Sequence, residues 1–307
     1  MKTLILHHDD CLRHDTGQRH AERPERINAV LDAVSAVSGT EMLPAPRAQA
    51  EQLQRAHVPE YWERLVELEP EAQADQLIAL DADTSLSSGS IDATLRGSGA
   101  VCFAIDQIQS GQARNAFCVT RPPGHHAEAG LAMGFCLLNH AAVGAHHALA
   151  SGAARRVAII DFDVHHGNGT QSIFENNPDV LFVSSHQMPL YPGTGHPLET
   201  GCGNIFNLPL APGDGSAAFR STWSRRGLPA VKAFQPDLIL VSAGFDAHRQ
   251  DPLGQLELAD DDYAWITAEI RRIANDCCND ALVSVLEGGY DLEALATASL
   301  AHVTELS

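Results

Sequence analysis

Short apolar runs rich in Val, Ile, Leu and Phe recur at residues 3–7, 115–120, 156–160, 179–184, 238–242 and 281–286. Each is five or six residues long and is bounded by polar or turn-forming residues. That is the pattern of strands covered on both faces. Between them lie longer segments in which apolar residues return every three or four positions, the period of an amphipathic helix. They predict helices beginning at Pro24, a residue suited to a first helical turn, and over 90–108, 139–150, 216–234, 260–277 and 292–301. Strands alternating with helices of this length make βαβ units. The expected fold is therefore α/β: a three-layer, open, mostly parallel sheet with helices on both faces. No repeat, low-complexity tract or linker interrupts the pattern, so residues 1–307 are expected to form a single domain. Two long loops, 7–26 and 186–203, are rich in Gly, Pro, His and charge. Loops of that length in a compact domain tend to carry function.

Composition narrows the classes. Of 307 residues, 44% are hydrophobic, enough for one large core. The 39 acidic against 20 basic residues leave a formal charge of −19. That argues against a nucleic-acid partner, because phosphate backbones are held by basic surfaces. No run of 18 apolar residues occurs, so no membrane span is expected. The opening MKTLILHH has too short an apolar core for a signal peptide. Seven cysteines, an odd number with no paired CxxC motif, fit a reducing, cytoplasmic compartment.

Polar residues cluster where strands are expected to end. RPPGHH (121–126) follows the run at 115–120, and DFDVHHGNGT (161–170) the run at 156–160. SAGFD (242–246) follows 238–242, and EGGY (287–290) follows 281–286. In a parallel sheet all four lie along one edge, the edge where ligands bind. Asp163 and His165 are two apart, so on extended chain they point to the same side, and Asp246 arrives from another strand. Two carboxylates and one neutral imidazole suit zinc with a position left open, and also iron, cobalt or manganese. Taken singly, each of these residues is also what caps a turn or a helix. In RPPGHH, two prolines and a glycine stiffen the backbone ahead of His125 and His126. Histidine has the pKa nearest working pH for acid–base work. His146 and His147 fall inside a helical pattern and carry no expected role. Gly288 and Gly289 before Tyr290 stay open between a plain turn and a flexible approach aiming a phenol at a substrate carbonyl.

RPPGHHA (121–127), GFCLLN (134–139), DFDVHHGNGT (161–170), YPGTG (191–195), SAGFD (242–246) and LEGGY (286–290) occur in that order. Together they resemble the histone deacetylase family, over a span from about Leu4 to His302. HAERPER (20–26) is similar to the family's HPERP segment, with Ala21 where proline is usual. Asn168, in place of aspartate, looks like the class II branch, which includes bacterial deacetylases and acetylpolyamine amidohydrolases. The resemblance implies an arginase-deacetylase fold, one catalytic Zn2+ and a structural K+. Asp163, His165 and Asp246 match the zinc ligands, and His125 and His126 the tandem catalytic histidines. Asp161 matches the carboxylate that orients His125, Asn168 takes the equivalent place behind His126, and Tyr290 matches the catalytic tyrosine. Phe135 and Tyr191 match two aromatic walls of an acyl-lysine tunnel, Gly134 a glycine lining it, and Asp83 an aspartate at its rim. Asp161, Asp163, His165, Ser184 and Ser185 match an inner potassium site, partly through backbone carbonyls. His166 has the weakest claim and is expected to be structural.

On that resemblance His126 is the general base. His125, backed by a carboxylate, is expected to be the more basic of the two. Leu253 sits where the polyamine-preferring branch has glutamate, and an apolar side chain offers nothing to a remote ammonium. The expected partner is therefore an acylated lysine peptide or protein, or a small acylated amine. The net negative charge, which attracts any polycation, is the counterargument. The alternatives are an acetylpolyamine amidohydrolase, a non-catalytic acyl-lysine-binding protein, and an arginase-like binuclear manganese hydrolase. The last needs carboxylates where Asn168 and Phe245 stand. A homo-oligomer stays open.

Overall fold

All six expected strands assemble into one sheet. The structure, a computed structural model, describes residues 2–72 and 76–307. In chain order the strands are β1 (Lys2–His7), β2 (Thr40–Pro44), β3 (Ile78–Ala79), β4 (Ser85–Leu86), β5 (Ala113–Cys118), β6 (Val157–Asp161), β7 (Val180–Gln187), β8 (Ile205–Leu210), β9 (Leu238–Ala243) and β10 (Leu282–Leu286). The helices are α1 (Glu25–Val34), α2 (Ala50–Leu53), α3 (Pro59–Leu68), α4 (Ser90–Gln109), α5 (His140–Ser151), α6 (Asn168–Phe174), α7 (Ser216–Thr222), α8 (Leu228–Phe234), α9 (Asp260–Cys278) and α10 (Leu292–Leu306). β3 and β4 form a small antiparallel pair. The other eight strands form a sheet of order β2-β1-β5-β10-β9-β6-β7-β8, with every neighbouring pair parallel.

Alternation along each strand feeds two cores. In β6, Val157 and Ile159 join the core built with α4 and α5, while Ala158 and Ile160 join the core built with α1, α9 and α10. In β1, Leu4 and Leu6 go one way and Ile5 the other. Helices thus cover both faces, as the alternating pattern requires. No helix among the described residues is long and apolar enough to cross a membrane.

The differences from the sequence reading have local causes. β2 is an edge strand of mostly exposed or half-exposed residues, so it lacks an apolar run. β8 contains Pro209, which argues against a central strand and is tolerated because β8 lies at the opposite edge. α2 and α6 are too short to show a period. The segment expected as one helix over 216–234 is continuous, but one π turn, Trp223–Gly227, joins α7 to α8. The Trp223 indole N–H reaches Ser185 Oγ at 3.0 Å from that turn.

The sheet order places the chemistry. β5, β10, β9 and β6 are four consecutive neighbours. Their carboxyl ends carry the four polar clusters, so segments far apart in sequence meet within one strip of the sheet edge.

Candidate metal centre and active site

Asp163 and His165 leave the end of β6, and Asp246 leaves the end of β9. One ligand atom from each lies within 4.8 Å of the others, and all three residues are buried. A single imidazole nitrogen, Nδ1 of His165, stands 3.0 Å from Asp163 Oδ1 and 3.1 Å from Asp246 Oδ2. The remaining carboxylate oxygens are fixed by backbone. Gly288 N–H donates to Asp163 Oδ2 at 2.8 Å, and Val164 N–H to Asp246 Oδ1 at 2.8 Å. Burial and the neighbouring Asp163 charge push Asp246 up to about 7. Burial alone would lower His165, but its bonds to Asp163 and Asp246 outweigh that and raise it to about 10. Two buried carboxylates on one imidazole nitrogen are a concentrated negative site. Their donor set fits one divalent cation with an open position.

Two histidine dyads face this cluster. His125 Nδ1 donates to Asp161 Oδ2 at 3.0 Å, and His126 Nδ1 to Asn168 Oδ1 at 2.8 Å. The rings lie 4.0 Å apart. Burial lowers both, but the Asp163 and Asp161 carboxylates overturn this for His125 and raise it well above the usual histidine value. For His126, burial is reinforced by the charges of His125 and His165, and its pKa falls well below the usual value. The ordering expected from Asp161 against Asn168 is the one found.

Tyr290 follows β10. Its backbone N–H donates to Asp251 Oδ2 at 2.7 Å, and the Arg26 guanidinium lies 5.0 Å from its ring centroid. Burial and the Asp246 charge push its phenol well above the ordinary value, so the hydroxyl stays a donor. Gly288 has a steric role besides the turn or flexible approach that the sequence left open. A side chain there would collide with the Asp246 and Asp163 carboxylates, so the glycine is a close-approach residue that lets β10 meet the cluster.

Phe135 and Tyr191 flank the cluster from different sides. The Tyr191 ring meets His126 edge-on at 5.2 Å, and the Phe135 ring meets Tyr290 edge-on at 6.0 Å. Phe135 has a φ of +68°. A bulky residue there costs about 1–3 kcal/mol, which the surrounding contacts must offset. Gly134, also at positive φ, has no space for a side chain against the His126 ring. Asp83 is tied to this turn: Phe135 N–H donates to Thr84 Oγ1 at 3.0 Å, and Thr84 Oγ1 to Asp83 Oδ1 at 3.1 Å. Leu253 is half-buried in the loop that holds Tyr290, with its N–H on Asp251 Oδ1 at 2.9 Å. Ser184 pairs in register with Asp161 across β6 and β7. The hydroxyls of Ser184 and Ser185 are engaged by His186 and Trp223, which leaves their backbone carbonyls as the groups to consider for a cation. His166 turns away, bonded to Thr194 Oγ1 at 2.8 Å and Gln171 Oε1 at 3.0 Å.

Four buried charged residues escaped the sequence reading although their motifs were in view. Glu287 accepts from Gly124 N at 2.6 Å, His125 N at 3.1 Å and Ser242 Oγ at 3.0 Å, clamping the ends of β5, β9 and β10. Glu22 receives Arg121 twice, at 2.6 Å each, and Arg26 at 3.2 Å. Arg26 continues to Gly289 O at 2.6 Å and to Glu287 O. Arg121 and Glu287 stand in strand-end motifs and Glu22 and Arg26 in HAERPER, and nothing local marks any of them as buried; once buried, such charges must be paired.

This combination, a parallel α/β sheet with a carboxylate–imidazole cluster and two histidine dyads at its edge, defines a hydrolase of the deacetylase kind. Residues 20–306 match the sequence profile of the histone deacetylase domain. The probable deacetylase of Archaeoglobus fulgidus is 37% identical over 95% of this chain and 82% of its own length. The histone deacetylase-like amidohydrolase of Pseudomonas aeruginosa is 37% identical over 94% of this chain and 77% of its own. Among solved structures, the HD domain of HDA15 superposes with a TM-score of 0.92 at 34% identity, covering 99% of this chain and 90% of that one. The chain spans only 20% of the length of type-2 histone deacetylase 2 of Dictyostelium discoideum, to which it is 34% identical. The chain belongs to the histone deacetylase family.

Proposed function

We propose that the chain is a zinc-dependent deacylase that hydrolyses acyl-lysine side chains or small neutral acyl amides. The observation that carries this reading is the buried Asp163–His165–Asp246 cluster facing two histidines whose basicities are driven apart. Asp163, His165 and Asp246 would hold the metal, which when bound supplies Lewis acidity to the amide carbonyl and to the attacking water. His126, neutral and buried, takes the proton of that water as its oxygen attacks the carbonyl carbon. As the C–N bond breaks, the protonated histidine pair returns a proton to the leaving amine. Tyr290 donates its hydroxyl hydrogen to the oxygen that becomes negative. Asp161 and Asn168 fix the two rings. Phe135, Gly134 and Tyr191 line the acyl-lysine path, with Asp83 at its rim.

Asp161, Asp163, His165, Ser184 and Ser185 are assigned to an inner potassium site, and the register pairing of Asp161 with Ser184 supports this. Leu253 supports lysine over polyamine substrates, because its half-buried apolar side chain cannot attract a distant ammonium. All seven cysteines are free, which supports a reducing, cytoplasmic setting.

The test compares zinc-loaded and metal-stripped protein on acetyl-, butyryl- and longer acyl-lysine peptides and on acetylputrescine and acetylspermidine. Activity restored by zinc and abolished by His126→Ala is expected. A kcat/KM markedly higher for the acetylpolyamines would overturn the lysine assignment, and turnover unaffected by metal removal would overturn the mechanism.

A further inference from the structure

The side-chain amide of Asn168 has its two ends in different surroundings. Its oxygen faces His126 Nδ1 at 2.8 Å. Its nitrogen faces three acceptors: Glu128 Oε1 at 3.1 Å, the His126 carbonyl at 3.3 Å and Met133 Sδ at 3.3 Å. Turned over, the amide would set its oxygen against a carboxylate, a carbonyl and a sulfur lone pair, all repulsive. Glu128 supplies the only charge among those three. Its own backbone is held by Leu131 O, which accepts its N–H at 3.0 Å, and by His57 Nδ1, 3.1 Å from its carbonyl. The side chain therefore leaves a fixed point.

We infer that Glu128 is a positioning residue for the reaction: its carboxylate holds the Asn168 amide in one orientation and thereby keeps the free lone pair of His126 on Nε2. An amide oxygen only accepts, so Nδ1 of His126 must carry the hydrogen. In neutral imidazole Nε2 is then the basic nitrogen. When Nε2 takes a proton, the imidazolium leans on an amide whose far end rests on a carboxylate. The chain His126–Asn168–Glu128 does in three residues what His125–Asp161 does in two. The inference rests on His126 being the base.

Its test has a readout independent of turnover. In zinc-loaded protein carrying 15N-labelled histidine, His126 is expected as the Nδ1–H tautomer in the wild type and in Glu128→Gln, whose amide oxygen can still accept. Glu128→Ala should populate the Nε2–H form. In turnover, Glu128→Ala should lower kcat about tenfold, with KM changed by less than about twofold. An unchanged tautomer in Glu128→Ala overturns the inference even if the protein hydrolyses none of the substrates tried. A loss carried by KM alone also overturns it, because Glu128 would then act on the substrate path. A second arm needs no large-to-small replacement. Asn168→Asp places two carboxylates against each other and should cost more than Glu128→Ala. Adding Glu128→Gln to Asn168→Asp, where glutamine can donate, should restore kcat about tenfold over Asn168→Asp alone. A double variant no better than Asn168→Asp overturns the inference.

Discussion

Two residues at the end of β10 separate chemistry from geometry. Tyr290 is buried, protonated and backed by Arg26 and Asp251, none of which depends on its hydroxyl. Tyr290→Phe should therefore leave the melting temperature and KM close to the wild type. It should lower kcat by about 10²–10³, the usual cost of losing an oxyanion donor. A fall in KM and kcat together would show that the ring, not the hydroxyl, had been doing the positioning. Gly288→Ala is the complementary case. A methyl group there meets the carboxylates of both Asp163 and Asp246. It should weaken zinc binding by about 10–100-fold, measured by competition with a chelator, while circular dichroism stays native. Retention of zinc at wild-type affinity would mean that β10 shifts to admit the methyl group.

At the scale of elements, the segment ahead of α1 is stitched to strand ends by a buried ionic network. Glu22 accepts Arg121 and Arg26, and Arg26 reaches the carbonyls of Glu287 and Gly289. Burial opposes the Glu22 charge, but the Arg121 guanidinium overrides it and lowers the carboxyl to about 2. A depressed carboxyl contributes stability above its unfolded value near 4.5 and loses it as pH falls toward 2. Glu22→Gln leaves two buried guanidinium groups short of a counter-charge and should destabilise by about 3–5 kcal/mol. Urea denaturation at pH 7 measures this, and a loss below about 1 kcal/mol would contradict it. The network also marks the limit of what sequence alone reveals. The Asp163–His165–Asp246 cluster was legible because its polar residues follow apolar runs that end along one edge of the sheet. The six central strands were legible because burial on both faces leaves an unbroken apolar run. Glu22 and Glu287 were not, because nothing local distinguishes a paired buried glutamate from a solvated one. Edge strands β2 and β8 escaped for a related reason: exposure and Pro209 remove the apolar signature. The neighbour order β5-β10-β9-β6, which makes the site, is a property of long-range pairing that no local pattern encodes.

Over the whole molecule, two groups of buried histidines have opposite consequences for acid stability. His14, His57, His140 and His186 are lowered to about 4 and His302 to about 3, burial being the largest cause in every case. They anchor separate parts of the fold: His14 on Ser90, His57 on Asn139, His140 on Ser98, His186 on Ser184, and His302 on Thr267 and Ser284. In the unfolded chain each binds a proton near pH 6.5, in the folded chain only near 4 or below. The unfolded state therefore holds more protons throughout that window, and stability falls as pH falls. His125 and His165 are raised instead, so their contribution is complete below 6.5 and does not offset the loss. Each lowered histidine adds a slope of about 1.4 kcal/mol per pH unit. Five together would reach about 7 kcal/mol per unit, but Asp246 and Glu287, raised to about 7, take up protons in the folded state first and offset about two of these, leaving about 4 kcal/mol per unit against a total stability of about 5–15 kcal/mol. Stability should thus fall steeply as pH drops from about 6 to 4. The check is the urea midpoint measured in half-unit steps from pH 7 to 4, in zinc-free protein so that pH-linked release of zinc does not contribute. His302→Gln, which keeps a polar group between Thr267 and Ser284 but cannot charge, should flatten the slope by about one proton per molecule. A midpoint that holds constant down to pH 4.5 would mean these histidines find water or counter-charges on protonation, and that the buried set is not what limits the fold in acid.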